Sequence, residues 1–295
     1  MFSKFTQKTP RALTRVFKQF FDLHEYQSKD LMRKFKIRVQ KGSIALNPET
    51  AYEVATKLDP SGGLILKAQV HAGGRGKGIE VKPILKINFF YSGHLTSGLK
   101  GGVKICKTPE EVRNYTKQMI GYNLITHQTV KEGQFIVLWN FTLKIQIFLG
   151  LKVNAVLVHE GVDIDRQIYL AFILDRNTQG PALIASKFGG MEIEEVAKNH
   201  PESIIFLPIN IEQGLTDEDA KKVAEKLDLG QEPFLSQAVD QMKNIYKMFI
   251  ELDSTQVEIN PWATDPKKLL WCIDAKINVD DNAKFRQTEL GKYSD

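Results

Sequence analysis

Apolar side chains recur at helical spacing in three stretches of the chain, which predicts amphipathic helices there. The stretches are 23–35, 49–58 and 235–252. Thr108 and Thr216 each precede an acidic turn, and hydroxyl residues in that position cap the free N–H groups of a helix start. The apolar face of the first helix is expected to hold Leu23, Tyr26, Leu31 and Phe35.

Strands are predicted where apolar residues alternate or run together between turn residues. These stretches are 64–70, 153–161, 168–176, 181–186, 255–263 and 268–278. Turns at 177–180 and 264–266 join four of them into two hairpins. Hairpins pair strands in antiparallel fashion, so the expected class is α+β rather than a doubly wound parallel sheet.

Composition and charge narrow the classes of function. The 295 residues are 42% hydrophobic and 25% charged, which is ordinary for a globular protein. The formal charge of +5 arises in segment 1–20, which holds five bases and no acid. Elsewhere bases and acids are equal at 35 each, so no nucleic-acid partner is expected. The basic, hydroxylated segment predicts a mitochondrial transit peptide, and the alternative is a frayed basic tail.

Two further features bear on compartment and membrane. Cys106 and Cys272 indicate neither a disulfide framework nor a zinc site, and they fit a reduced interior such as the mitochondrial matrix. The most apolar stretch, 135–151, carries Lys144 at its centre and is shorter than the roughly 20 residues that cross a bilayer. No membrane partner is therefore expected.

A first candidate site lies around Lys67, which interrupts an apolar strand. A buried lysine is costly unless an anion accompanies it. The glycine-rich segment 73–78 follows, and its glycines let the backbone approach phosphate oxygens while Arg75 and Lys77 add charged donors. The segment lacks the Lys-Ser/Thr end of a Walker A motif. Phosphate binding is one interpretation, and a solvated basic turn is the other.

A second candidate site lies in the last predicted hairpin. Period two places Glu258 and Asn260 on one face of their strand, and the hairpin can bring Asp274 opposite that face. Carboxylate and amide oxygens suit Mg²⁺, which also keeps water and phosphate ligands. The alternative is a solvated hairpin face.

A third candidate is the segment 158–163, which ends one strand and precedes another. A hinge between two subdomains would have this position, and its backbone could bind a nucleotide base. The alternative is an ordinary connecting turn. The order of these features resembles an ATP-grasp fold: a lysine in a strand, a glycine-rich loop, a hinge and a late metal-binding strand pair. In that fold two α/β subdomains enclose the nucleotide in a cleft.

Longer motifs make the resemblance specific. DLHEYQSKDLM, KAQVHAGGRGKG, SGLKGGVKI, HEGVDI, GGMEIEEVA, TQVEINPW and DAKINVDDNAKFRQ resemble succinate–CoA ligase β-subunits, in the same order, from residue 22 to about 290. The resemblance implies an ATP-grasp domain over 21–290 in an acid–thiol ligase of the tricarboxylic acid cycle. The reversible reaction is succinyl-CoA + NDP + phosphate = succinate + CoA + NTP. The implied partner is an α-subunit whose histidine carries the phosphoryl group.

The resemblance also assigns roles to residues. It implies that Lys67 contacts phosphate and that Asn260 and Asp274 bind Mg²⁺. It places Glu258 near the travelling phosphohistidine as the catalytic carboxylate. Further nucleotide contacts are implied for Gly74, Arg75, Gly76, His159, Glu160 and Val162.

The resemblance bears on base choice through Gln40, which resembles the GTP-using branch, where ATP-using relatives tend to have proline. GTP/GDP is therefore favoured over ATP/ADP. Gln167 departs from bacterial relatives, which carry glutamate at that position.

Two alternatives to a succinate-specific ligase stay open. One is a nucleotide-binding or assembly fragment without turnover, because family members continue after FRQ into a flavodoxin-like ligase domain that this sequence lacks. The other is a different acid–CoA ligase, such as one for malate.

Segments 79–93 and 135–151 are expected to be insertions relative to the family. Both are rich in Phe, Ile, Leu, Lys and Asn and lack the punctuation of surface loops. One hypothesis explains both segments and the GKYSD end: they are introns read through as coding sequence. The alternative is a natural short form with lineage-specific loops.

Overall fold

A computed structural model describes residues 21–70, 94–125, 150–288 and 290 of the chain. Several sequence predictions lie outside these residues. They are the transit peptide 1–20, the phosphate loop with Gly74, Arg75 and Gly76, the insertion 79–93, and all but the last two residues of 135–151.

Five of the six described α-helices begin close to the predicted positions, whereas the helix at Ile193–Asn199 was not predicted. They are α1 (Glu25–Lys34), α2 (Pro48–Thr56), α3 (Pro109–Met119), α4 (Ile193–Asn199), α5 (Asp217–Lys226) and α6 (Phe234–Glu251). Asn47, Thr108 and Thr216 cap α2, α3 and α5, because each side chain accepts a hydrogen bond from a backbone N–H of the first turn. Short 3₁₀ turns cover Pro201–Ser203 and Asp281–Ala283.

The described strands form three antiparallel sheets. They are β1 (Phe21–Asp22), β2 (Gly42–Ala45), β3 (Leu64–Ala68), β4 (His94–Leu95), β5 (Val103–Cys106), β6 (Asn123–Ile125), β7 (Leu151–Lys152), β8 (Val156–Glu160), β9 (Arg166–Asp175), β10 (Gly180–Ser186), β11 (Ile204–Pro208), β12 (Ser254–Thr264), β13 (Leu270–Cys272) and β14 (Ala275–Val279). The large sheet has the order β1-β14-β12-β9-β10-β11, with β13 pairing β12. The small sheet has the order β2-β8-β3-β5, and the third sheet has the order β4-β6-β7.

Each of the two larger sheets has its own hydrophobic core. One face of the large sheet packs on α1, α5 and α6 through residues such as Phe172, Met242 and Trp262. The small sheet packs on α2 and α3 through residues such as Leu66 and Val112. Burial of these apolar side chains stabilises each sheet with its helices as a separate subdomain, and the fold class is α+β as predicted.

Two sequence predictions need correction. The single strand expected over 268–278 is broken, because β13 ends at Cys272 and β14 starts at Ala275. Asp274 therefore lies between two strands rather than within one. The face predicted for α1 is also incomplete: Tyr26 and Phe35 are only half-buried, whereas Met32 and the charged Glu25 and Lys29 are buried.

Among the residues that the structure describes, no helix is long and apolar enough to cross a bilayer.

Candidate functional site

The buried anion that Lys67 requires is Glu25, at the start of α1. Lys67 Nζ donates to Glu25 Oε1 at 2.7 Å, and both side chains are buried. Glu25 follows the N-cap, where the helix dipole favours a negative charge. This contact joins the small sheet to a helix packed on the large sheet, which sequence reasoning did not anticipate.

A second buried lysine shares the same carboxylate oxygen. Lys29 Nζ lies 2.9 Å from Glu25 Oε1, one helical turn along α1. Burial lowers the pKa of Lys29 to about 8, with Lys67 acting in the same direction and Glu25 opposing it. The sequence could have indicated this pair, because Glu25 and Lys29 are four positions apart in HEYQSK and residues at i and i+4 meet on one helix face.

The hinge predicted over 158–163 is the end of β8 and the link to β9. The Gly161 N–H donates to the Gly63 carbonyl at 2.7 Å, so the small-sheet pairing extends to the link. Glu160 accepts through Oε1 from the Lys41 N–H at 3.1 Å. Val162 follows as a half-buried residue. The segment thus has a fixed backbone position beside β2 and β3.

His159 is buried within the small sheet, next to the lysine cluster. Burial and the charges of Lys29 and Lys67 hold the pKa of His159 well below its usual range. The neutral ring donates through Nδ1 to the Glu160 carbonyl at 2.8 Å. Nε2 is then an acceptor, and it is buried without a hydrogen-bond partner among the described residues.

Gln40 reaches from the start of the small sheet toward the large one. Its Nε2 donates to the Ile273 carbonyl at 3.3 Å, and the side chain is fully buried. Its Oε1 likewise has no hydrogen-bond partner in the described part of the chain. Gln40 therefore contacts the residue that precedes Asp274, and it lies two positions before Gly42, which pairs with His159.

Asn260 and Asp274 are neighbours in the hairpin through their backbones. The Asn260 N–H donates to the Asp274 carbonyl at 3.0 Å. The register of β12 with β9 shifts between Ile259 and Trp262, at the position of Asn260. Such irregularities re-aim side chains beside functional sites. Asp274 Oδ1 accepts from the Ala275 N–H at 3.0 Å.

The side chain of Asn260 also holds the loop that precedes α4. Its Oδ1 accepts from the Gly190 N–H at 2.7 Å, and its Nδ2 donates to the Met191 carbonyl at 2.8 Å. The Gly189 N–H donates to the Gln167 carbonyl at 3.2 Å. This loop comes from the GGMEIEE motif, so two family motifs that are 70 residues apart meet at one asparagine.

Glu258 is half-buried on the same face as Asn260, while Val257 and Ile259 are buried in the core on the opposite face. Burial raises the pKa of Glu258, with Glu194 and Asp274 adding to the rise and Lys276 opposing it. Gln256 Nε2 donates to Glu258 Oε2 at 3.0 Å. The alternation predicted for this strand is confirmed.

The structure links the two groups of predicted residues through Lys29. The charge of Asp274 acts on Lys29 as well as that of Glu25. Among the predicted residues on the small-sheet side, Gln40 contacts the segment around Asp274, through its hydrogen bond to the Ile273 carbonyl. Within the described ranges no group of three His, Cys, Asp or Glu residues has the geometry of a metal cluster.

Comparison with known proteins points to one family. Residues 22–264 match the family described as the ATP-grasp domain. The chain is 42% identical over 294 residues to the mitochondrial β-subunit of GDP-forming succinate–CoA ligase from Sus scrofa, covering 99% of the chain and 58% of that protein. It is 41% identical to the hydrogenosomal β-subunit of ADP-forming succinate–CoA ligase from Neocallimastix frontalis, covering 95% and 57%. The chain therefore spans a little over half the length of these relatives.

Solved structures show the same fold at low identity. The dinucleotide-forming acetyl-coenzyme A synthetase 1 of Ca. Korarchaeum cryptofilum aligns with a TM-score of 0.55 at 18% identity, over 88% of this chain and 93% of that one. The ATP citrate lyase of Methanothrix soehngenii aligns with a TM-score of 0.58 at 16% identity, over 93% and 54%.

Proposed function

Because the chain belongs to the ATP-grasp domain family, we propose that it binds a magnesium nucleotide where its two larger sheets meet and acts as the β-subunit of a succinate–CoA ligase. The reaction is reversible formation of succinate, CoA and a nucleoside triphosphate from succinyl-CoA, the diphosphate and phosphate. The main support for this proposal is the 41–42% identity to succinate–CoA ligase β-subunits along nearly the whole chain.

The proposal for magnesium rests on the chemistry of two side chains. The Asn260 amide and Asp274 carboxylate supply hard oxygen atoms, and a backbone hydrogen bond joins these two residues. Gly190 uses one lone pair of Asn260 Oδ1, and an amide oxygen has a second. A bound Mg²⁺ would offset negative charge on the phosphate groups. Asn260 and Asp274 are the residues proposed to hold it.

Lys67 is proposed to contact nucleotide phosphate. Its ammonium group is positively charged and pairs with Glu25, and a charge-assisted bond to phosphate is stronger than a neutral one. Gly74, Arg75 and Gly76 belong to the same proposal from the sequence. Glu258 is proposed to act near the phosphohistidine of the partner, because its half-buried carboxyl group has a raised pKa on the face shared with Asn260.

The buried acceptors support guanine over adenine. Gln40 Oε1 and His159 Nε2 both lack a donor among the described residues. Guanine presents N1–H and N2–H₂ donors, whereas adenine offers only N6–H₂ beside ring acceptors. We therefore propose GTP/GDP, with the hinge backbone at Glu160 and Val162 beside the base.

The proposed partner and compartment are supported by the names of the relatives. Relatives named as β-subunits of succinate–CoA ligase imply a separate α-subunit, and the proposed assembly is a heterodimer with it. The names give a mitochondrial location in most cases and a hydrogenosomal one in Neocallimastix frontalis. The mitochondrial matrix is proposed here, since residues 1–20 have the composition of a transit peptide.

The test is succinyl-CoA formation after co-expression of the full chain with a succinate–CoA ligase α-subunit, supplied with GTP and then with ATP. We expect activity with GTP that disappears in Asp274→Asn, and none from the chain by itself. Malate in place of succinate is expected to give no CoA ester. Nucleotide binding without any CoA ester in the assembled complex would contradict the ligase proposal and favour a nucleotide-binding subunit.

A further inference from the structure

We propose that Glu25 is a positioning residue for the Lys67 ammonium group and that Lys29 holds Glu25 in place. The proposal deepens the proposed function, since it concerns how the phosphate site is built. Its starting point is one carboxylate oxygen, Glu25 Oε1, that lies within 2.9 Å of both ammonium nitrogens.

Burial makes these contacts more than a surface ion pair. Lys29 is 1% exposed, Glu25 5% and Lys67 8%. Exposed pairs contribute little, because water screens them and both side chains lose rotamer freedom. A buried carboxylate keeps its place only when bonded, and loss of one partner leaves the other charge costly. The position of Glu25 is thus closely defined.

The ion pair also spans the junction of the subdomains. Lys67 belongs to β3 of the small sheet, whereas α1 packs against β14 and into the large core through Leu31 and Met32. The Tyr26 N–H donates to Gln69 Oε1 at 3.4 Å across the same junction. Glu25 therefore fixes the Lys67 ammonium group relative to the sheet that carries Asn260 and Asp274.

A lysine needs such support because its four-carbon stem has many rotamers. A buried anchor restricts these rotamers before the ligand binds, so that less side-chain entropy is lost on binding. The tetrahedral ammonium group carries three N–H donors, and this chemistry suits phosphate oxygens. Lys29 is suited to hold Glu25, because the Glu-to-Lys order at i and i+4 is the favourable one on a helix.

The experiment measures how strongly the protein prefers a triphosphate to a monophosphate, rather than affinity alone. Titration calorimetry with Mg²⁺ gives Kd for GTP and GMP in the full chain, in Glu25→Gln and in Glu25→Asp. Glu49→Gln is the matched control, because Glu49 also lies in a first helical turn and pairs with a base, Arg113, but on the surface. We expect Glu25→Gln to lower the Kd(GMP)/Kd(GTP) ratio about 10-fold, Glu25→Asp to lie between it and wild type, and the control to match wild type.

An equal loss of GTP and GMP affinity, or an unchanged ratio in folded Glu25→Gln, would overturn the proposal. Far-UV circular dichroism and thermal melting report folding. If Glu25→Gln does not fold, the double variant Glu25→Gln/Lys29→Met removes one cation with the anion and is expected to show the same loss. If that variant also fails to fold, Glu25→Asp decides, and an unchanged ratio in it overturns the proposal.

Failure of this inference is distinguishable from failure of the proposed function. If wild type does not bind GTP more tightly than GMP, or if Lys67→Met leaves the ratio unchanged, the phosphate site itself is wrong. A different result would show that only the positioning role is wrong. In that case wild type prefers GTP to GMP, Lys67→Met loses the preference, and the Glu25 variants keep it.

Discussion

Substitution of Gly161 by alanine would test the close approach of the hinge to the turn before β3. A Cβ atom at Gly161 would lie 2.0 Å from the Gly62 carbonyl oxygen and 2.9 Å from the Gly62 carbonyl carbon. It would also lie 3.0 Å from the Gly63 carbonyl oxygen, which accepts the Gly161 N–H. All three neighbours are backbone atoms, so no side chain can rotate away, and one chain segment must move.

The cost has two parts. Overpacking that shifts the backbone costs about 1–3 kcal/mol. Separation of the segments also lengthens the Gly161-to-Gly63 hydrogen bond, which contributes about 1 kcal/mol. We therefore expect Gly161→Ala to lower the free energy of unfolding by about 2–4 kcal/mol.

Urea unfolding of the full chain at fixed pH measures this change. Gly180→Ala is the control, because a Cβ atom there meets nothing closer than the Thr178 carbonyl oxygen at 3.8 Å. Its expected change is within about 1 kcal/mol and can be stabilising, since alanine restricts the unfolded chain. Equal urea midpoints for Gly161→Ala and wild type would refute the close approach.

Gly161→Ala also tests whether the hinge binds the nucleotide base. A displaced hinge is expected to weaken GTP binding more than binding of inorganic tripolyphosphate, which has no base. Calorimetry with both ligands measures the difference. Equal losses for the two ligands would contradict a contact between the hinge and the base.

Three further predictions concern metal, pH and the core. Asp274→Asn is expected to weaken GTP binding at least about 10-fold in Mg²⁺ but little in excess chelator; equal losses would make its role structural. The pKa of buried His159 is lowered, so below about pH 6.5 only the unfolded state takes up the proton. The free energy of unfolding of wild type is therefore expected to fall by up to about 1.4 kcal/mol per pH unit in that range. His159→Asn should reduce that slope, and parallel stability curves would contradict this. Gln241→Leu leaves the buried Trp262 N–H without its acceptor and should cost about 1–3 kcal/mol in urea unfolding while GTP affinity stays the same; an unchanged midpoint would count against the bond.

Local sequence determined most helices and strands correctly where the signal lies within one element. Thr108 and Thr216 marked helix starts because a cap bonds to residues three positions away. The β9–β10 hairpin was predictable from its turn, since its strands pair from Gly180 with Asp175 onward. Period two likewise placed Glu258 and Asn260 on one face. The split at Asp274 escaped prediction, because apolar residues continue through the break and only pairing with Asn260 and Pro261 defines it.

The sequence by itself determined which elements form and which motifs resemble a nucleotide-binding family, because propensity, capping and periodicity act over a few residues. Only the tertiary structure decided which charged and polar groups meet. Glu25 bonds Lys67 from 42 positions away, and Gln40 bonds Ile273 from 233 positions away. No local rule selects such partners: packing of the two sheets brings them together, and the cost of a buried polar group without a partner then requires the bond.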